Sequence, residues 1–172
     1  MPTIKEIAKA GNVSVATVSN IINHKGSVGD ATRERVGKVI HEMKYTPNYV
    51  AKSLKTKNTR SIGVIAEDMT VFALPDIIDG ITEYCEEADY QILLVNLRLY
   101  KKFQDNYYRD NRHKEIVRQE FQKLLAKQVE GIIYVAAHER LIDIIPEDLP
   151  IPTVVAYGFT GSGKIPSVVV KD

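Results

Sequence analysis

The 172-residue sequence predicts two units of different class: an α-helical helix-turn-helix head with a hinge helix behind it, followed by an α/β lobe built on a parallel sheet. Three observations predict this. Apolar positions at the start of the chain recur at helical spacing between capping and turn signals, whereas from Ser61 onward short apolar runs alternate with amphipathic stretches. Charge divides at the same place. Residues 1–60 carry eleven Lys and Arg against four Asp and Glu, and residues 61–172 carry twelve against eighteen, so the total of +1 hides a basic and an acidic unit. The expected bounds are 1–47 for the head, 48–60 for hinge and linker, and 61–172 for the lobe.

Thr3 with Glu6 has the form of a capping box, so a helix should start at Ile4 and bring Ile4, Ile7 and Ala8 onto one face. Gly11-Asn12 supplies residue types that tolerate a left-handed backbone, and Ser14 should restart a helix as its N-cap. On that second helix, running to about Asn23, Val18, Ile21 and Ile22 turn toward the core. Ala16, Ser19, Asn20 and Asn23 line the opposite face, with Val15 at its leading edge. A third helix is expected over Asp30 to Lys44, with Val36, Val39, Ile40 and Met43 as its packing stripe, ended by Tyr45-Thr46-Pro47. Asn48 can then cap a short hinge helix from Tyr49 to about Lys55. So short a helix needs DNA or a second copy to hold it.

The outer face of the second helix is small and uncharged, where a solvated helix would carry Lys and Glu. Such a face admits close approach to base edges in a major groove, where Asn can bond adenine and a methyl can touch thymine. Lys5, Lys9, Arg33, Arg35, Lys38, Lys52, Lys55, Lys57 and Arg60 can neutralise phosphates. A three-helix bundle with a merely polar face is the bland alternative. The coincidence of the basic charge with a helix-turn-helix favours DNA.

In the second unit, strands are expected at Ser61 to Ala66, Gln91 to Val95, Gly131 to Val135, Pro152 to Ala156 and Ser167 to Val170. Helices are expected at Pro75 to Ala88, through Ile77, Ile78, Ile81, Tyr84 and Cys85, and at His113 to Lys127. Strands buried on both faces and joined by helices imply a parallel, doubly wound sheet. Arg98 to Arg112, with Tyr100, Phe103, Tyr107 and Tyr108 among basic residues, reads as a surface loop: a mobile insertion or a partner site.

Thr3 to Ala8, Val13 to Asn20, Thr32 to Val36, Tyr45 to Asn48, Ala51 to Leu54 and Ile62 to Ile65 together resemble the lactose-repressor and galactose-repressor (LacI/GalR) family of bacterial regulators nearly position by position. The resemblance implies a sequence-specific DNA-binding transcriptional regulator, a repressor of a sugar-utilisation operon that binds a palindromic operator as a homodimer. It implies that Val15, Ala16 and Asn20 read bases, that Thr17 and Ser19 hold phosphates, and that Thr3, Ser14, Asn23, Asn48 and Ala51 belong to the DNA-binding set. Leu54 would enter the minor groove as a wedge, with Lys55 its basic neighbour. Two departures stand out: Gly11-Asn12 where the family more often has Ala-Gly, and Gly29 where it has a Ser cap. The lobe resembles the N-terminal half of the family's periplasmic-binding-protein-like core, so an incomplete lobe is expected. The second lobe, and with it the far wall of the sugar-effector cleft, is missing from the 172 residues. A fragment, or a frameshifted or truncated product that binds DNA without an effector response, would account for that.

Gly158 to Lys164 matches the G-x-x-x-x-G-K pattern of phosphate-cradling loops and is the best argument for a nucleotide site. Ile165 stands where Ser or Thr would hold magnesium, and Pro166 forbids the following helix. Cys85 reads as a core residue, His24, His41, His113 and His138 have no ligand spacing, and Asn12-Val13-Ser14 matches a glycosylation acceptor by chance. Neither a catalytic function nor a cofactor or metal is expected. No apolar run reaches membrane length, so a cytoplasmic chain with no membrane contact is expected.

Overall fold

The computed structural model of the chain describes residues 2–47, 58–104, 107 and 111–170. They fall into two compact units, Met1–Lys55 and Thr56–Asp172. The expected hinge helix lies outside the described residues.

The head is three helices: α1 (Ile4–Ala10), α2 (Val15–Ile22) and α3 (Asp30–Glu42). Thr3 and Glu6 form the capping box. The Glu6 carboxylate accepts from the Thr3 amide at 2.6 Å, and the Glu6 amide donates to Thr3 Oγ1 at 3.3 Å. In the turn after α1 the left-handed residue is Asn12, with φ of 49°, while Gly11 keeps a right-handed φ of −79°. Gly11 is required for space instead, since a Cβ there would stand 3.2 Å from both Ile7 O and Val36 Cγ2. That contact lets α3 close on α1. Ile7, Ala8, Val18, Ile21 and Val36 make the core, with Val39, Ile40 and Met43 packed at its margin. Gly29 caps α3 without a side-chain bond, and Asp30 in the first turn meets the positive end of the helix.

The lobe is a five-stranded parallel sheet in the order β2-β1-β3-β4-β5, from β1 (Ser61–Ala66), β2 (Gln91–Asn96), β3 (Gly131–Val135), β4 (Thr153–Ala156) and β5 (Ser167–Val168). Helix α4 (Leu74–Glu87) joins β1 to β2, and α6 (Lys114–Ala126) carries the chain from β2 past β1 to β3. Those moves run in opposite directions along the sheet, so right-handed crossovers put the two helices on opposite faces. Gly63 leaves room for α6, as a Cβ there would meet Leu124 Cδ1 at 2.7 Å. Val117, Phe121 and Leu124 of α6 are buried, and the Phe121 ring stacks on Tyr134 with centroids 6.4 Å apart.

Three expectations are corrected. Tyr84 does not join the packing stripe of α4. It is 73% exposed, because it lies one residue before buried Cys85 and so about 100° round the helix. The described residues of Arg98 to Arg112 are not a loose surface loop. They hold α5 (Leu99–Phe103) and a 3₁₀ turn (Asn111–His113), and Leu99, Tyr107 and His113 are buried. The fifth strand is short, with Val169 and Val170 exposed beyond it.

The connections from β3 to β4 and from β4 to β5 contain no helix. They brace each other instead, with Ile142 N donating to Phe159 O at 2.7 Å and Phe159 N to Arg140 O at 3.0 Å. Gly158 makes this possible: a Cβ there would sit 3.1 Å from Ala136 Cβ and Ile142 Cγ1 and 3.3 Å from Arg140 O. Overpacking at such a site costs about 1–3 kcal/mol. Gly158→Ala should therefore lower the lobe's stability by about that amount in urea unfolding followed by circular dichroism, while the head's helical signal is retained.

Candidate functional site

Two places carry chemistry, one in each unit. In the head, Ser14 Oγ accepts from Thr17 N at 3.0 Å and shares a 2.9 Å hydrogen bond with Thr17 Oγ1, so the first turn of α2 is closed by its own side chains. Thr3, Ser14, Val15, Ala16 and Asn20 are exposed, and Thr17, Ser19 and Asn23 are half-buried. Val15 is 42% exposed although apolar, which suits a residue held for contact with a base methyl. Val18 and Ile21 on the opposite side are buried. Asn23 turns back on its own helix, its Nδ2 donating to Ser19 O at 2.8 Å. Of the named DNA-contact residues, Asn48, Ala51, Leu54 and Lys55 lie outside the described residues.

Gly26 is a residue the sequence reading missed. Its φ is +71°, and a Cβ on it would come within 3.3 Å of Asn20 Nδ2. The loop after α2 thus passes close beside the exposed amide on the outer face of α2, and a glycine in a polar run after a helix was the available signal.

In the lobe, Glu67 is fully buried one residue beyond β1. Its carboxylate accepts from Tyr107 Oη at 2.7 Å, Tyr134 Oη at 2.7 Å and Ala137 N at 2.7 Å. Arg140 grips it with both arms, Nη1 to Oε2 at 3.0 Å and Nη2 to Oε1 at 2.6 Å. Burial pushes the Glu67 carboxyl up, but the Arg140 guanidinium and the hydrogen-bond donors outweigh it and hold the carboxyl below the ordinary range. Burial together with the Glu67 charge pushes the Tyr107 and Tyr134 hydroxyls up, so both stay protonated as donors. Close by, Phe72 is 69% exposed with φ of 52°, and its ring meets the edge of His138 at 6.4 Å. In an open parallel sheet, ligands bind outside the carboxyl ends of the strands where the strand order reverses, here between β1 and β3. Glu67 and Ala137 stand at that crevice. An acidic residue directly after an apolar strand was the only sequence signal for it.

The Gly158 to Lys164 loop leads into β5, not into a helix, so it lacks the helix N-terminus that a phosphate cradle uses. Lys164 Nζ is paired with Glu147 at 2.8 Å, and the loop borders a 420 Å³ depression whose rim includes Asp143 and Glu147. Carboxylates there oppose a polyphosphate. Among the described residues no group of three His, Cys, Asp or Glu could hold a metal ion, and no helix is long and apolar enough to cross a membrane.

Residues 3–48 match the bacterial regulatory proteins of the lacI family. The chain is also 34% identical over 158 residues to the HTH-type transcriptional repressor PurR of Vibrio atlanticus (strain LGP32), covering 90% of this chain and 43% of that protein. It is 32% identical over 172 residues to the HTH-type transcriptional regulator RegA of Clostridium saccharobutylicum, covering 99% and 48%. Residues 3–48 are thus a lacI-family head. A solved lac repressor dimer, bound to operator and the anti-inducer ONPF, shares the fold of this chain with a TM-score of 0.76 and 22% identity, over 99% of this chain and 48% of that one. The chain thus spans a little under half the length of the curated relatives it matches.

The Glu67 cluster sets a pH dependence. Its carboxyl is held below the ordinary 4.5, so the stability it contributes is present above that value and is lost as pH falls through the lower folded-state value. Urea midpoints of the lobe should fall as pH drops below about 4.5, and the slope in that window should be shallower in Glu67→Gln. Equal slopes in the two proteins would show that Glu67 does not titrate with folding.

Proposed function

We propose that this chain binds double-stranded DNA as a sequence-specific transcriptional repressor, two copies placing α2 in successive major grooves of a palindromic operator. The observation that carries this is the exposed, small, uncharged face of α2, Val15, Ala16 and Asn20, on a helix whose N-cap is satisfied and whose opposite face is buried. Thr17 and Ser19 contribute phosphate contacts from the flanks of that face, and Thr3 belongs to the same DNA-binding set. Asn48, Ala51, Leu54 and Lys55 form the minor-groove part, a reading that rests on the family resemblance. The protein works in the cytoplasm, where bacterial DNA lies. As a regulator it answers to a sugar-like effector at the carboxyl ends of the strands and governs a sugar-utilisation operon. Support for an effector there comes from the strand order and from the ONPG carried by a lac repressor of the same fold in its repressed state.

Asn20→Ala should lower affinity for the correct operator by about 1–3 kcal/mol, the worth of a base contact, and leave random DNA binding nearly unchanged. Lys52→Ala should weaken all sequences alike and flatten the slope of log affinity against log salt by about one. Fluorescence anisotropy with operator and scrambled duplexes at several salt concentrations separates the two. Equal loss on both duplexes for Asn20→Ala would remove α2 from the reading role.

Inserting a leucine between base steps costs a few kcal/mol of unstacking, recovered when the bent duplex lets both heads engage. Leu54→Ala should therefore reduce operator bending together with operator affinity, with non-specific binding kept. A gel-phasing assay measures the bend, and an unaltered bend in the variant would rule out the wedge.

A further inference from the structure

We propose that Gly26 is a positioning residue for base reading: the space left by its missing side chain seats the Asn20 amide on the outer face of α2, and so decides whether Asn20 can present both prongs of that amide to one base. The two amides of that face are held in different ways. Asn23 is turned back on its own helix, with Nδ2 donating to Ser19 O at 2.8 Å and lying 3.4 Å from Ser19 Oγ. Asn20 is exposed and meets the backbone of the loop that follows α2. A Cβ on Gly26 would come to 3.3 Å from Asn20 Nδ2 and 3.7 Å from Asn20 Cγ, the first of these tighter than an ordinary van der Waals contact.

The loop is held on either side of Gly26. Lys25 N donates to Asn20 O at 2.9 Å and His24 N to Ile21 O at 3.3 Å, with His24 left-handed at φ of 51°. That pair of bonds is the Schellman ending of a helix, and it ties the loop to the same residue whose side chain Gly26 faces. Beyond Gly26, Val28 packs at the margin of the head's core. Gly26 itself has φ of +71°, a conformation that residues with a Cβ, Asn excepted, rarely adopt. Of the two parties to the contact, the loop is the fixed one, and the far end of the Asn20 side chain is the one that yields. A side chain at 26 therefore disturbs the fold little through this contact and displaces the amide. An amide that pairs with adenine through both its oxygen and its nitrogen needs one orientation at the base edge, so displacing it breaks that contact and leaves the rest of the α2 face in place.

The role in specificity rests on Asn20 being a base reader, as proposed above, whereas the seat does not, and the test separates them. Fluorescence anisotropy is measured with the full chain on a palindromic duplex that it selects from a random library, and on duplexes changed at one base pair in both half-sites. Gly26→Asn is the main variant, because asparagine tolerates the left-handed backbone and still places a Cβ beside Asn20. Gly26→Ala, smaller but strained at this φ, repeats the measurement, and circular dichroism checks that each head is folded. Asn20→Ala should remove a preference for A·T of about tenfold at one position of the half-site, and Gly26→Asn should cut the preference at that position about fivefold and leave the others unchanged. The double variant should discriminate no worse than Asn20→Ala alone, because a residue that acts through Asn20 then has nothing to act on. An undiminished preference in folded Gly26→Asn and Gly26→Ala, a loss spread over all positions, or additive losses in the double variant would each overturn the positioning role. Three-bond couplings that report Asn20 χ1 in the DNA-free chain test the seat by itself. They should differ between the unsubstituted chain and Gly26→Asn, and unchanged couplings would overturn the seat. Altered couplings beside base preferences that survive intact in Asn20→Ala would overturn Asn20 as a reader, and the part of Gly26 in specificity with it, while the seat stands.

Discussion

A carboxylate taken out of water must find several donors or lose its charge, and in this lobe Glu67 finds them by drawing together segments far apart in sequence. The Tyr107 and Tyr134 hydroxyls, the Ala137 amide and both arms of Arg140 converge on it. The consequences spread outward. Arg140 is fixed, so its carbonyl is placed to accept from Phe159 N, and the loops after β3 and β4 brace each other without helices. Tyr107 is fixed, so the connection after β2 has one buried side chain anchored in the lobe. Removing one partner of such a cluster would cost more than forming it gains, since the remainder would stay buried and uncompensated.

Local signals were legible where the information is local. The Thr3–Glu6 box, the Ser14 cap and the apolar run from Ser61 to Ala66 each announce an element within a few residues, and each begins or ends where those residues place it. What sequence could not disclose was set by distance. Tyr107 reads as one more aromatic in a basic stretch, because the carboxylate that buries it is 40 residues away. Glu67 reads as the polar end of a strand, because its counter-charge comes from a position 73 residues on. Tyr84 fails in the other direction: the stripe at 77, 78, 81, 84 and 85 is wider than the arc that faces the sheet, and periodicity alone does not say where the arc stops. In the head, the exposed face of α2 was readable from residue type, because its apolar partners Val18 and Ile21 recur at helical spacing on the other side. Gly26 was not, since its role depends on the loop folding back beside Asn20.

The glycines show the same division between motif and context. Gly158 and Gly163 with Lys164 spell a phosphate loop, yet each has a local reason to be present. Gly158 is hemmed in by Ala136, Ile142 and the Arg140 carbonyl, Gly163 has φ of +67°, and Lys164 is paired with Glu147. A cradle needs backbone N–H groups converging at a helix start, and a strand follows here. Gly11 likewise stands in a turn for a reason other than the one its position suggests: Asn12 bears the left-handed angle, and Gly11 yields the space that α3 needs.

The two units solve opposite electrostatic problems. The head carries the basic excess and leaves the outer face of α2 uncharged, an arrangement that on the proposed function draws phosphate by the surround and leaves discrimination to the centre. The lobe carries the acidic excess and spends its most buried charge on internal architecture, where Glu67 and Arg140 neutralise each other. A crevice whose ionic groups already satisfy one another offers an incoming molecule hydrogen bonds and ring faces rather than net charge, with Phe72 and His138 exposed to different degrees beside it. Any ligand that instead relied on Arg140 for a charged contact would have to part it from Glu67 and leave a carboxylate buried alone. That penalty is a selectivity filter in itself, and it favours uncharged ligands for as long as Glu67 stays ionised.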